Sequence, residues 1–257
     1  DVILLCNRNN RQITARQIQT GEVSMLAGGV RIQGADLQEI AKIRTWQELL
    51  FPLHGKVERE YTAEAAAQTV WNTEVMELLQ SLHEEKGAFL FRIEYKGSLD
   101  ERKKSEFVKK TASLLEEKSE RMLINSISDY EIEIRIVESK KGGYLPFLRL
   151  YTMEDERFAY RKESIAASIA PVNAALIMQI AGDHLKENAQ VLDPFCGVGT
   201  MLIERDIRVP AREKYGIDIF GEAIRGAREN ASYAEEKINF INRDYFDFTH
   251  AYLFDEI

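Results

Sequence analysis

One stretch limits the fold of this chain more than any other: Val191-Leu192-Asp193-Pro194-Phe195-Cys196-Gly197-Val198-Gly199-Thr200-Met201-Leu202-Ile203-Glu204. A short apolar run, as a buried parallel strand presents, passes into Gly-x-Gly and straight on into helical spacing. Glycines at such a turn let the backbone approach a ligand closely and adopt angles that other residues avoid. The loop is not a dinucleotide fingerprint. That pattern requires a small residue where Leu202 stands, and Asp193 puts negative charge where a pyrophosphate would sit. Both departures favour a ligand without phosphates.

The sequence around this loop alternates. Helical spacing over 171–185, 200–207 and 222–234 separates apolar runs at 190–193, 215–218 and 238–242, and 253–257 opens another. Strands alternating with helices define βαβ units and a parallel, doubly wound sheet. Asp218 closes the second of these strands, 21 residues after Gly197, where a carboxylate can accept both hydroxyls of a ribose. Asp244 follows the third strand, where an adenine amino group would lie. Three acids at three successive strand ends fall on the edge where such sheets bind ligands. Taken singly, each is also the residue that a cap or a turn uses.

Upstream, residues 1–60 read as strand-rich, with a turn at Gly28-Gly29 and a short helix over 36–44. Residues 63–83 predict a single amphipathic helix, with Ala66, Val70, Val75, Leu78, Leu79 and Leu82 near one face and Lys86-Gly87 closing it. A strand over 88–95 and a charged helix over 101–118 follow. The strict alternation of 130–137 predicts a strand with one wet face. Lys140-Lys141-Gly142-Gly143 turns into a further strand over 144–151, and 155–167 reads as a polar linker.

A chain of 257 residues suggests two or three domains. No stretch approaches a membrane span, and the opening VILLC is too short and too poorly flanked for a signal peptide. Cys6 and Cys196 cannot build a disulfide framework or a metal cage, so a reducing cytoplasm is expected. His54, His83, His184 and His250 show no ligand spacing. The net charge of −8 is uneven, +2 over 101–150 and −7 over 151–257. That excludes a generic polyanion binder but leaves room for a local basic face. The absence of an initial Met, and an end at Phe254-Asp255-Glu256-Ile257 that reads as the start of a strand, suggest a fragment.

The run DPFCGVGTMLIE resembles the first motif of S-adenosylmethionine-dependent methyltransferases, in the form used by RNA and DNA amino-methylases. The resemblance implies that Asp193, Phe195, Gly197 and Gly199, with Thr200 beside them, surround the methionine part of the cofactor. It implies Asp218 at the ribose with Ile219 beside it, and Asp244 near adenine. The stretch from Ser168 through Pro171 to Leu176 resembles the preceding motif, which brings Ser168 and Pro171 into the cofactor site, and Cys196 is read as packing. Leu123-Ile124-Asn125-Ser126, Asp129-Tyr130-Glu131-Ile132 and Asp155-Glu156-Arg157-Phe158-Ala159-Tyr160-Arg161-Lys162 resemble THUMP-domain RNA methyltransferases. The implied fold class is an α/β, Rossmann-like methyltransferase domain over 156–257, truncated after the start of its fourth strand. An α+β THUMP module over 59–155 and a ferredoxin-like region over 1–58 precede it.

From the same resemblance follow S-adenosylmethionine as cofactor, structured RNA, foremost tRNA, as partner, and N2-methylguanosine as product. A 23S ribosomal RNA guanine methyltransferase, or a non-catalytic RNA-binding protein with a degenerate methyltransferase domain, are the alternatives. Methyl transfer to an exocyclic amine depends on holding that amine in line with the sulfonium methyl. The family does so with an Asn/Asp-Pro-Pro-aromatic motif after the fourth strand, so the catalytic residues are expected beyond Ile257 and this stretch alone is expected to be inactive. Arg102, Lys103, Lys109 and Lys110 on the charged helix, Lys140 and Lys141 in the turn, and Arg157, Arg161 and Lys162 at the junction become candidate phosphate contacts. The bland alternative is a solvated helix face. Tyr160 is read as core.

Overall fold

A computed structural model of the chain describes residues 1–53, 62–83, 87–140 and 142–257. Its elements run β1 (Val2–Cys6), α1 (Arg11–Ala15), β2 (Glu22–Leu26), β3 (Gly29–Gln33), α2 (Leu37–Ile40), β4 (Trp46–Pro52), α3 (Ala63–Val70), α4 (Thr73–Leu82), β5 (Phe89–Lys96), α5 (Glu101–Lys118), β6 (Leu123–Asn125), β7 (Ile132–Glu138) and β8 (Tyr144–Leu150). Then come α6 (Pro171–Ala181), β9 (Gln190–Asp193), α7 (Thr200–Arg208), β10 (Glu213–Asp218), α8 (Gly221–Tyr233) and β11 (Asn239–Asn242). The chain forms two compact units. One comprises Asp1–Leu5, Arg31–Ala35 and Glu48–Glu154; the other Cys6–Val30, Asp36–Gln47 and Asp155–Ile257. Among the described residues no helix is long and apolar enough to cross a membrane.

In the first unit β5 pairs in parallel with β6 and β7, and β7 runs antiparallel to β8. Phe89, Phe91, Ile93 and Tyr95 alternate along β5 and are buried, as are Ile132, Ile134 and Ile136 of β7 and Phe107 and Leu115 of α5. The expected wet face of β7 is not wet. Glu133 and Arg135, which alternate with the isoleucines, are buried as well. Paired charges account for this: Glu133 holds both Arg92 and Arg135 at 2.6 Å, and Glu48 holds Arg135 at 2.5 Å and Arg149 at 2.8 Å. The Tyr130 ring covers Arg92 at 4.0 Å. A buried carboxylate is tolerable only with such partners.

The single helix expected over 63–83 is two. Trp71 ends α3, and Asn72 starts α4 by accepting the Val75 amide at 3.0 Å, a side-chain N-cap that competes with helix continuation. The short α1 and β6 escaped the sequence reading, the latter because three residues cannot display alternation. The expected helix stop at Lys86, together with His54 and Lys141, lies outside the described residues, as does the boundary between 58 and 59.

The second unit holds a parallel sheet in the order β11-β10-β9. Glu256 forms a parallel bridge to Val191, and its carbonyl accepts the Leu192 amide at 3.0 Å. So β9 has neighbours on both sides: β10, reached by the crossover through α7, and the Glu256 segment, reached by a return from β11. That reversal is a topological switch point, and the glycine loop leaves β9 at its C-terminal end, where open α/β sheets bind ligands. Val191, Cys196, Leu202, Ile203, Ile224, Ala227, Ala231 and Phe240 form the core beneath it, with Tyr160 among them. Within the segment expected as a polar linker, Arg157 and Tyr160 are buried, and Tyr160 belongs to this core.

Candidate functional site

The loop from Pro194 to Gly199 takes its shape from two residues in left-handed conformation, Gly197 at φ +52° and Gly199 at φ +79°. At Gly199 a side chain is excluded twice, because a Cβ there would lie 2.9 Å from the Phe240 ring. The Cys196 amide donates to Ile217 O at 2.9 Å, and the Gly197 amide donates to Asp218 Oδ2, also at 2.9 Å. The loop after β9 is thus fastened to the end of β10.

The three acids share one local geometry. Asp193 accepts the Phe195 amide at 3.1 Å, Asp218 the Phe220 amide at 2.9 Å and Asp244 the Phe246 amide at 3.0 Å, each bond reaching two residues on. The turn-forming role weighed for a single acid is therefore present at all three. It does not exhaust them. Among the described residues no cation pairs with Asp193 or Asp218, and burial, with Asp218 as negative neighbour, pushes the Asp193 carboxyl above its usual range. Two adjacent carboxylates without a counter-charge suit a ligand that brings a cation and hydroxyl or amine donors, and they repel a phosphate. Burial and the same two acids push the Cys196 thiol up, so it remains a packed thiol and not a nucleophile.

The remaining expected cofactor residues converge on this edge. Thr200 opens α7 and is buried, accepting from the Arg161 guanidinium, which also donates to Ile169 O at 3.0 Å. That arginine brings the segment of Ser168 and Pro171 to the start of α7. Ser168 itself accepts the Ile165 amide at 2.9 Å, and Pro171 is the first residue of α6. Ile219 is exposed, with its carbonyl held by Asn242 at 2.8 Å. Phe195, 76% exposed, lies 5.8 Å from the Tyr245 ring beside Asp244.

Several supporting residues were not read from the sequence. Asn230 of α8, fully buried, accepts the Lys162 and Glu163 amides at 2.9 and 2.8 Å and donates to Glu163 O and Val198 O at 3.0 and 3.1 Å. It thereby holds the carbonyl between the two loop glycines. Its signal was available, because Asn230 lies three residues after Ala227 on the apolar stripe of α8. Asn242 fixes the Asp218 and Ile219 carbonyls at 2.9 and 2.8 Å.

The basic candidates divide. Arg157 is buried against the Trp46 ring at 3.2 Å and spends its donors on Ile43 O, Trp46 O and Asp155. This corrects its reading as a phosphate contact: the side chain packs the interior of the second unit. Arg161 is engaged with Glu163 O, Ile169 O and Thr200. Arg102, Lys103, Lys109 and Lys110 are exposed on α5, with Lys103 3.4 Å from Asp100 and Lys110 2.6 Å from Glu64. Lys140 is exposed beyond the end of β7.

A parallel sheet with a glycine loop at its switch point, and with Asp193 and Asp218 at its strand ends, defines an α/β domain of the doubly wound class, in which ligands bind at this edge. Residues 159–257 match the UPF0020, RMKL-like methyltransferase domain, which places a methyltransferase-type domain on this sheet. That match indicates S-adenosylmethionine as the cofactor. TrmN from Thermus thermophilus shares the fold with a TM-score of 0.69 and 19% identity, over 95% of this chain and 73% of that one. SMU.472, solved as a complex with SAH, gives 0.66 and 16%, over 98% and 77%. The uncharacterized protein MG259 of Mycoplasma genitalium is 37% identical over 68 residues, 26% of this chain and 15% of that protein's length.

Proposed function

We propose that this chain belongs to an RNA methyltransferase that forms N2-methylguanosine in tRNA, with Asp193 to Thr200 around the methionine part of S-adenosylmethionine, Asp218 at the ribose with Ile219 beside it, Asp244 near the adenine, and Ser168 and Pro171 closing the site. The carrying observation is the uncompensated pair Asp193 and Asp218 at the ends of β9 and β10, with the Gly197 amide donating to Asp218 and the Phe195 amide to Asp193. A sulfonium and an α-amino group bring the positive charge this pair lacks, and a ribose brings the hydroxyls. When bound, the cofactor supplies an electrophilic methyl group. The chain's contribution is to hold that group in place and exclude water, so that an approaching amine meets it in line. No described residue is assigned to orienting the amine.

Residues 59–155 are read as a THUMP-type module and 1–58 as a ferredoxin-like region, with exposed Arg102, Lys103, Lys109, Lys110 and Lys140, and Arg161 of the second unit, contacting RNA phosphates. The test is transfer of labelled methyl from S-adenosylmethionine by the full-length protein, followed by nucleoside mass spectrometry of the RNA. N2-methylguanosine in tRNA is expected. Methylation confined to ribosomal RNA would move the substrate, and calorimetry without any SAH binding would overturn the cofactor site.

A further inference from the structure

The carboxylate of Glu204 is 1% exposed, on the second turn of α7, the helix that begins at the glycine loop. Burying a carboxylate this deeply requires a partner. Arg44 supplies it, with Nε donating to Oε2 at 2.9 Å and Nη2 to Oε1 at 2.6 Å, while the Tyr160 hydroxyl donates to Oε1 at 2.7 Å. Arg44 stands 160 positions upstream, far outside the residues that match the methyltransferase domain. Its planar fork matches the carboxylate, and its guanidinium lies over the Phe158 ring at 4.6 Å.

These contacts extend to the loop. The segment that carries Tyr160 continues into Arg161, bonded to Thr200 at the first turn of α7, and into Lys162 and Glu163, whose amides are held by Asn230. Asn230 in turn holds the Val198 carbonyl between the two glycines. The first two turns of α7 and the glycine loop are therefore fixed from one side by a strap whose buried charge is balanced only by Arg44, among the described residues.

We propose that Arg44 is a positioning residue of the cofactor site: by neutralising Glu204 it sets α7 and the Gly197–Gly199 loop, so the segment Asp36–Gln47 is an obligatory part of the methyltransferase domain. This rests on the cofactor reading of the loop. The test compares full-length protein with Arg44→Ala, Arg44→Lys, Glu204→Gln and the Arg44→Ala/Glu204→Gln pair. The readouts are SAH affinity, taken well below each melting midpoint, and amide hydrogen exchange over residues 197–205. Arg44→Ala should weaken SAH by roughly five- to tenfold and speed exchange in that segment, as contacting groups in one network do. The double variant should recover most of the loss, since it removes the stranded charge, and Arg44→Lys should fall between. If Arg44→Ala melts lower yet keeps wild-type SAH affinity and exchange, Arg44 is a strut without bearing on the loop and the proposal fails. If Arg44→Ala does not fold, Arg44→Lys decides by the same readouts. If the wild type binds no SAH, the cofactor reading falls, and exchange over 197–205 still decides whether Arg44 sets the loop.

Discussion

The Gly197 amide donates to Oδ2 of Asp218 across 2.9 Å. One carboxylate oxygen thus fixes the glycine loop while the same side chain, through Oδ1, shapes its own turn at Phe220. Loop and second acid are a single structural piece, and a ligand that reaches one reaches the other. Asp218→Ala should weaken SAH binding at least roughly tenfold, about 1.4 kcal/mol, by calorimetry on folded full-length protein. Unchanged affinity in a folded variant would remove Asp218 from the site.

The two loop glycines should respond differently to alanine. Both have positive φ, but a Cβ at Gly197 meets nothing within 4 Å, whereas at Gly199 it meets the Phe240 ring at 2.9 Å. Gly197→Ala carries only the left-handed penalty, about 1–2 kcal/mol. Gly199→Ala adds overpacking, about another 1–3 kcal/mol. Urea denaturation of both variants checks the order, and equal losses would contradict the Phe240 contact.

The βα alternation, the glycine loop and the three acids were legible because short apolar runs recur between stretches of helical spacing and their ends carry distinctive residues. The neighbouring Glu204-Arg205-Asp206 was not. Three successive charges look like a wet turn of helix, yet all three are buried, each satisfied by a residue outside the helix: Arg44, Glu256 and Lys214. Local spacing reports which residues are polar, not whether a partner arrives from elsewhere. The same blindness gave β7 a wet face, where Arg92 and Glu48 come from other strands to pair with Glu133 and Arg135. At Trp71-Asn72 the failure was different, since a cap inside an amphipathic run leaves the apolar spacing nearly intact.

Asp193 should show a conflict between stability and binding. Burial, reinforced by Asp218, raises its carboxyl pKa above the ordinary value in the folded protein. A raised folded-state value means that the native state holds its proton longer than the unfolded chain. Stability from this group is therefore present below the ordinary value and is lost as pH rises through the raised one. Asp193→Asn keeps the oxygen that accepts the Phe195 amide and removes the charge. It should melt higher than wild type at neutral pH, lose that advantage on acidification below the ordinary carboxylate range, and bind SAH more weakly. Melting curves across pH, with calorimetry at neutral pH, check all three. A lower melting point at neutral pH would show that the charge is compensated.

Asn230→Leu removes four hydrogen bonds at once and strands the Val198 and Glu163 carbonyls together with two amides. With buried unsatisfied groups at about 1–3 kcal/mol each, and partial relaxation, a loss of about 3 kcal/mol is expected from urea midpoints. Asn230→Asp retains the acceptor but sets a buried, unpaired carboxylate against the Glu163 and Val198 carbonyl oxygens, so at neutral pH it should lose at least as much. Near-neutral behaviour of the leucine variant would mean that water replaces the amide.

The RNA reading is tested on α5. Arg102 and Lys109 are seven residues apart, as are Lys103 and Lys110, so the four project from one side of the helix, away from buried Phe107, Thr111 and Leu115. Lys110 is paired with Glu64, so its removal would also release an acid, and it is the poorer choice. The triple variant Arg102→Ala, Lys103→Ala, Lys109→Ala takes away cations from a surface already exposed. Each phosphate neutralised contributes close to one unit to the slope of log affinity against log salt on a duplex, so the slope should flatten by about two to three units. Different tRNAs should weaken alike, because phosphate contacts carry no base information. SAH affinity should remain at the wild-type value, since none of the three belongs to the glycine loop or its supports. Fluorescence anisotropy over a salt series with full-length protein gives the slope. If slope and tRNA affinity are both unaltered, Arg102, Lys103 and Lys109 form a solvated helix face and the RNA contacts lie elsewhere.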